Sequence, residues 1–531
     1  MPDESPFSAG EECCAGYPSA PLYKERASRK QIKQLLWGDW IRVVEDEDDG
    51  WVKVHARGYD GWVPAKHLQR ERLLEIVFVD IGQGDGALLV TPNDEAVVID
   101  AGEGDNMFRF LRWRFGRFED EFGFKAGVIS HPDADHYKGF GSLLNHPNVR
   151  FEALYHNGIM EDTSPHGLGA EIEIDGRRYI DELMTDNAAL DAFLADESRW
   201  QSTTANGRVS KKAYASLMHT AATSGRVGQI QMLSTDPESR TFMPGFGLND
   251  PVQLQVLGPL LETCSDGGQR LRWFPYRAHG GALDKGVTKN GHSVILRLQY
   301  GAVSVLLGGD LNSSSETFLM QSYAGLDQPP RNADEREEMI RSVGLVFGCD
   351  IAKCCHHGSA DFTDEFLSGV HSAATVISSG DQESHAHPRS DTLGAIGVHG
   401  RGSRPLIFST ELARSGREAA DPKARKELRD LEKQIDDAAT DDERDELKKQ
   451  YKEKLDQLLD RFVAVYGAIN LRTDGNKAVL AYKLEEPRVI NQSIANWDIY
   501  KMEQDANGQL AYVRPDHPVQ RSPRGDDDIP A

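Results

Sequence analysis

The sequence predicts a mixed α/β chain: two β-sheets with helices on their outer faces, a small all-β module ahead of them and a helical hairpin behind. Three patterns predict it. Apolar runs of strand length at 73–80, 86–90, 96–99 and 126–129 are followed, after a polar middle, by runs at 293–298, 303–307, 351–355, 375–378 and 405–408. Short tryptophan-containing strands divided by Asp-Gly turns occupy 40–64. From 420 to 463, apolar residues at helical spacing are set among dense opposite charges.

Composition narrows the function classes. At 531 residues the chain is too long for one small core. The net charge of −24 excludes a general nucleic-acid coat but not a local basic path. No apolar run approaches the roughly 20 residues of a spanning helix, so no membrane partner is expected. Met1-Pro2-Asp3-Glu4 lacks the basic and apolar regions of a signal peptide. The six cysteines include the adjacent pairs Cys13-Cys14 and Cys354-Cys355, which does not suggest a disulfide framework. A cytoplasmic location is expected.

Taken in order, residues 1–16 read as a flexible acidic tail, and 17–70 as a β domain. Its strands are Trp40-Ile41-Arg42-Val43-Val44, Trp51-Val52-Lys53-Val54 and Gly61-Trp62-Val63-Pro64. This pattern resembles the bacterial SH3-like domain, which implies a module that recruits a protein partner or packs on its neighbour. Residues 73–410 read as the main domain, with about 157–285 as an insertion that could overhang a site. Within it, 106–118 reads as a helix carrying Arg109, Arg112, Arg114 and Arg117 among aromatic residues, a combination suited to a nucleic-acid backbone and splayed bases. His219 in the insertion is a possible ligand. Residues 420–463 read as an antiparallel helical hairpin built on Leu428, Leu431, Ile435, Leu447, Tyr451, Leu455, Leu458 and Phe462. It is a second candidate surface for a protein partner, and dimerisation is possible through it. Residues 464–510 read as a β-hairpin around Asp474-Gly475-Asn476 with an extension, and 511–531 as a frayed tail.

The chemistry concentrates in Ser130-His131-Pro132-Asp133-Ala134-Asp135-His136, just beyond the run Ala126–Ile129. A strand end fixes backbone direction, and the following turn can converge imidazoles and carboxylates on one divalent ion. Four ionisable groups so placed are not needed for folding and would be costly to bury unpaired.

This segment resembles the His-x-His-x-Asp-His signature of the metallo-β-lactamase superfamily. With Asp133 in the second histidine's place, it is similar to the variant in the hydrolase domain of the DNA-uptake protein ComEC and its soluble relatives. Three further blocks match in order: Val79-Asp80-Ile81-Gly82-Gln83-Gly84-Asp85 with Val98-Ile99-Asp100-Ala101-Gly102; Leu306-Leu307-Gly308-Gly309-Asp310; and Lys353-Cys354-Cys355-His356-His357-Gly358-Ser359. The resemblance implies a four-layer αββα sandwich and two divalent ions, Zn²⁺ or Mn²⁺. It assigns His131 and Asp133 to the first ion, Asp135 and His136 to the second, and Asp310 as the bridge. One of His356 and His357 completes the second site. His356 is the favoured ligand, with His357 facing substrate or standing behind the ligands, where Ser359 could also meet substrate. Asp100 resembles the aspartate that steadies a ligand histidine. Two alignments compete before Asp310: Gly291-His292-Ser293 makes His292 a first-ion ligand, while Asn290 and Ser293 fit the ComEC-like Asn-x-x-Ser and leave His292 incidental.

Two ions roughly 3.5–4 Å apart can activate a bridging water for in-line attack. Asp135 and Lys353 are expected beside that reaction. Ser379-Gly380-Asp381-Gln382-Glu383-Ser384-His385-Ala386-His387-Pro388 resembles a ComEC-like motif in which His387 would contact phosphate or protonate the leaving oxygen, with His385 competing for the role. The expected function is therefore a metal-dependent phosphodiesterase acting on nucleic acid or a nucleotide. The alternatives are hydrolysis of a small ester, lactone or amide, and a non-catalytic adaptor in signalling or defence.

Overall fold

A computed structural model describes residues 5–26, 30–82, 84–203, 208–276, 281–380, 386–410, 422–438, 440, 443–454, 467–490 and 493–514. Two large sheets dominate. The ten-stranded sheet runs, in spatial order, Val227–Met232, Val149–His156, Phe122–Val128, Ala96–Ala101, Gly86–Val90, Leu74–Phe78, Ile469–Thr473, Ala478–Ile490, Ser493–Gln504 and Leu510–Tyr512. The six-stranded sheet runs Val252–Gly258, Ile295–Tyr300, Val303–Leu307, Ile351–Lys353, Ala374–Ile377 and Leu406–Ser409.

Successive strand residues point to opposite faces, and here both faces are covered. Leu74, Ile76, Phe78, Val97 and Ile99 meet Leu254, Leu296, Val305 and Leu307 in one core between the sheets. Their neighbours Val77, Val79 and Val98 turn outward onto the helix residues Met107, Phe110, Phe140 and Leu217. On the far side Ile295 and Leu306 pack on Phe318, Val343 and Phe366. Burial on both faces explains why these strands read as near-continuous apolar runs. The result is helices, sheet, sheet, helices.

The structure alters two expectations. Residues Glu12–Ala15 are not tail: they form a strand antiparallel to Trp40–Asp48, with Cys13 buried. The stretch 157–285 is not wholly an insertion, because Val227–Met232 and Val252–Gly258 are edge strands of the two large sheets. A separate small sheet does arise within it, from Glu171–Ile174, Arg177–Ile180, Gln269–Arg272 and Glu262–Thr263. The expected C-terminal hairpin forms, and it joins the ten-stranded sheet through the antiparallel pairing of Ile469–Thr473 with Leu74–Phe78. Apolar burial on both sides of Leu471 and Leu480 holds it there.

The N-terminal module is a seven-stranded curled sheet around Leu22, Leu35, Val43, Val52, Val54 and Val63. It sits against the C-terminal strands: the Gln34 amide N–H donates to Asn496 Oδ1 at 2.8 Å, and the Asn496 N–H returns a bond to Gln34 Oε1 at 2.9 Å. Leu36 and Trp37 pack on Val479 and Ala481. Helix Pro422–Asp437 and the helical residues 443–454 run antiparallel, since Tyr451 reaches Glu432 and Lys454 reaches Glu427. Leu455, Leu458 and Phe462 lie outside the described residues. Among the described residues no helix is long and apolar enough to cross a membrane.

Candidate metal centre

The centre forms where strand ends of the two sheets meet. Phe122–Val128 delivers Ser130 to His136, Val303–Leu307 delivers Asp310, and Ile351–Lys353 delivers His356 and His357. The Val294 N–H donates to the Ser130 carbonyl at 2.8 Å, stitching the two sheets at this point, while the Asp310 N–H donates to Ser293 Oγ at 3.0 Å within the six-stranded side. Gly84 brings a third loop in. Its φ is +99°, and a Cβ there would stand 1.8 Å from the Asp135 carbonyl oxygen, so only glycine fits. Asp100, His356 and His357 all have φ near +50°. Left-handed backbone at three non-glycine residues costs energy and is held by the surrounding structure, as at functional sites elsewhere.

Asp85, His136, Asp310 and His357 are all buried, with potential ligand atoms within 4.8 Å of one another. His136 Nδ1 lies 2.9 Å from Asp100 Oδ2, whose other oxygen accepts the Ser130 N–H at 2.7 Å. His357 Nδ1 lies 3.1 Å from Asp85 Oδ1. The Asp100 carboxylate sets His136 as the Nδ1–H tautomer, and Asp85 stands beside His357 Nδ1 without an aligned hydrogen bond. The Nε2 atoms of the two imidazoles face each other at 3.3 Å. Asp310 Oδ2 stands 3.2 Å from one and 3.1 Å from the other, and Asp135 Oδ2 is 3.6 Å from His357 Nε2. Lone pairs so placed repel one another unless a cation sits among them. The donor set of two imidazoles and two carboxylates suits Zn²⁺ or Mn²⁺.

Electrostatics agree. Burial lowers the His357 imidazole, but Asp310 and Asp85 reverse this and raise it to about 10. His136 is likewise raised, against burial, by Asp310 and Asp100. Burial raises the Asp85 carboxyl, and Lys353 and His357 bring it down to about 2. The carboxylates demand positive charge at the Nε2 pair, which a proton or a metal ion can provide.

The other expected residues fall into place around this pair. His356 is less enclosed, with Nε2 4.0 Å from Asp310 Oδ2 and its ring 5.8 Å from that of His387. His357, rather than the favoured His356, is the one that joins the buried group that could hold a metal ion. Lys353 does not face a cleft; it is buried, paired with Asp85, and donates to the Gly309 carbonyl at 3.1 Å. His292 turns away: its Nε2 meets the Arg272 carbonyl at 2.7 Å and burial takes its pKa down to about 4. Ser293 instead approaches His131 Nδ1 at 3.3 Å, and Asn290, with its amide nitrogen turned inward, donates to Asp133 Oδ2 at 2.8 Å. His219 is exposed, lies against Trp200 and is not part of the buried group of Asp85, His136, Asp310 and His357. Arg114 pairs with Glu75, Arg109 with Asp105, and Arg112 lies over Phe108. Arg117 is the exposed one of the four, in a turn with φ +59°. The stretch is thus mainly packing on the outer face of the ten-stranded sheet, with no open cationic face. Ser359 supports the neighbouring loop, its carbonyl accepting from Thr392 Oγ1 at 2.7 Å. His385 lies outside the described residues.

Two residues were not assigned roles from the sequence. Asp85 was visible only as the end of a glycine-rich turn, and Lys289 as one lysine among many. Lys289 Nζ is paired with Asp133 Oδ1 and lies 3.2 Å from Glu161 Oε1.

Comparison with known proteins bears on the N-terminal module. Residues 22–68 match the family of bacterial dipeptidyl-peptidase Sh3 domains. The module is an SH3-like domain. That match covers a short stretch of the chain, and no curated protein matches the chain.

Proposed function

We propose that the chain is a metal-dependent hydrolase of the metallo-β-lactamase-like, ComEC-like type, cleaving phosphodiester bonds in nucleic acid or a nucleotide. The observation that carries the metal dependence is the His136–His357 Nε2 pair around Asp310 Oδ2, each imidazole backed by its own carboxylate. The motif set and the two facing sheets with outer helices support the family. A divalent ion bound there would supply Lewis acidity and a water acidic enough to be hydroxide near neutrality.

The chain's own residues would do the rest. Asp100 and Asp85 fix the imidazole orientations, and the partly exposed Asp135 carboxylate can accept a proton from the attacking water. His356 and His387 stand on the more open side of the centre, where they can bind a phosphoryl oxygen or protonate the leaving oxygen. The phosphodiester assignment rests on the ComEC-like resemblance; the arginine stretch adds little, being largely paired.

A second reading has one observation in its favour. Asp133 and Asp85 are each paired with a lysine, as they would be in a non-catalytic scaffold that recruits partners through its SH3-like domain. Metal analysis joined to assays on single-stranded DNA, duplex DNA, RNA, cyclic dinucleotides and a generic phosphodiester separates the readings. Metal-dependent cleavage lost in Asp310→Asn is expected; an inert, metal-free protein would leave the scaffold reading.

A further inference from the structure

The motif implies two cation positions, and at the first of them a protein ammonium, Lys289, already stands. We infer that the Lys289 ammonium takes the place of the first divalent ion, so that the centre holds one ion, bound at His136, His357 and Asp310. This rests on the metal-centre reading above and specifies its stoichiometry.

Four observations carry it. The first is the lysine's own bonding. Lys289 projects from helix Lys285–Gly291 into the loop that bears the motif, where Asp133 Oδ1, Glu161 Oε1 at 3.2 Å and the Pro132 carbonyl at 3.4 Å surround its Nζ. An ammonium offers three donors, so all three are used. The second is Asp133: one oxygen takes Lys289 and the other takes the Asn290 amide at 2.8 Å. Both oxygens are thus engaged by protein donors, although Oδ2 also lies 3.7 Å from His131 Nε2. The third is His292, the other candidate ligand, whose Nε2 is committed to the Arg272 carbonyl at 2.7 Å. The fourth is Asp310. Its Oδ2 faces the two Nε2 atoms, while its Oδ1 has Lys353 Nζ 3.8 Å away. His131 Nε2, 3.7 Å from Asp133 Oδ2, is buried at the first position without a hydrogen bond, and with Asp133 bound to Lys289 it stands there as the one free donor among the described residues. One imidazole nitrogen does not hold an ion in competition with water.

Charge supports the same assignment. Asp133 and Glu161 together would attract a dication, but Lys289 and Lys285, one helical turn apart, both reach Glu161, at 3.2 and 2.9 Å. The pair of lysines supplies the two positive charges a metal would otherwise bring. No lysine, by contrast, stands between the Nε2 atoms of His136 and His357 among the described contacts.

The test is the number of Mn²⁺ ions retained per full-length chain after loading with Mn²⁺ alone and desalting, read by elemental analysis. One ion is expected for the wild type and none for His136→Ala. Asp133→Asn is expected to keep one ion, with affinity within about threefold of wild type, below the roughly tenfold loss typical even of residues that only support a ligand. Lys289→Ala should open the first position and raise the count to two, while Lys289→Arg should stay at one. Two ions in the wild type, a tenfold loss of affinity in Asp133→Asn, or a single ion in Lys289→Ala would each overturn the inference. A wild type that binds none would remove the metal centre beneath it, a distinguishable failure.

Discussion

Two buried ionic clusters can be set side by side. One is the metal centre; the other joins the SH3-like domain to the main body, where Arg472 contacts Asp39 at 2.8 Å and Glu75 at 3.2 Å. In that junction the carboxylate oxygens are taken: Asp39 also accepts from Arg57 and from the Leu36 N–H, and Glu75 from Arg114. The buried atoms left over are donors, Arg472 Nε and Arg114 Nε. In the candidate metal centre the Nε2 atoms of His136 and His357 face each other beside Asp310 Oδ2, with no ammonium or guanidinium between them among the described contacts. Spare N–H groups mark a cluster built to hold parts together. Facing lone pairs mark one that could hold a cation.

That contrast can be broken by substitution. The largest effect is expected from Asp310→Asn, which removes the charge shared by both imidazoles: metal retention should be lost and any hydrolysis should fall by about a thousandfold or more, read by elemental analysis and single-turnover assay. Arg472→Ala should do the opposite, leaving the ion in place while unfolding free energy drops by about 3–5 kcal/mol, because Asp39 and Glu75 stay buried without their cation; a urea titration measures it. Asp100→Asn should keep the fold and weaken metal binding by roughly 10–100-fold, since it disturbs only the orientation of His136.

The smallest effects are in pH. Burial would raise Asp39 and Glu75, but their arginines hold both below the ordinary carboxylate range. Their contribution is complete above the unfolded pKa values and is lost as pH falls through the depressed folded ones, so the urea midpoint should drop on the acid side. Glu316 has the opposite sign. It is buried, accepts from the Thr363 N–H and hydroxyl at 2.6 and 2.8 Å, and is raised to about 8 by that burial. The folded state then binds more protons than the unfolded one between the ordinary Glu value and 8, so stability falls as pH rises through that window, by at most about 1.4 kcal/mol per pH unit. Glu316→Gln should flatten this slope; a slope unchanged by the substitution would mean that other groups cause it.

Much of this was legible from local pattern. Strands buried on both faces give unbroken apolar runs, so the ends that carry His136, Asp310 and His357 could be placed from the runs alone. The tryptophans and Asp-Gly turns of the SH3-like domain were equally readable. The choice between His356 and His357 was not, because both lie in left-handed backbone and the direction of each ring depends on the turn. Glu12–Ala15 read as tail because its partner strand, not its own four residues, makes it a strand. Lys289 could not be told from any surface lysine without the helix that carries it. The Asp39–Arg472 pair joins positions too distant in the sequence for any pattern to connect.

The pairing of Ile469–Thr473 with Leu74–Phe78 also sets an order of events during synthesis. The ribosome makes Leu74–Phe78 long before Ile469–Thr473, so that strand's open edge must wait for a partner encoded far downstream. Until then the growing polypeptide carries an unpaired, strongly apolar edge, the kind of surface that invites aggregation and chaperone attention. Chains released before residue 469 would be expected to accumulate as insoluble material even though they contain every proposed metal ligand.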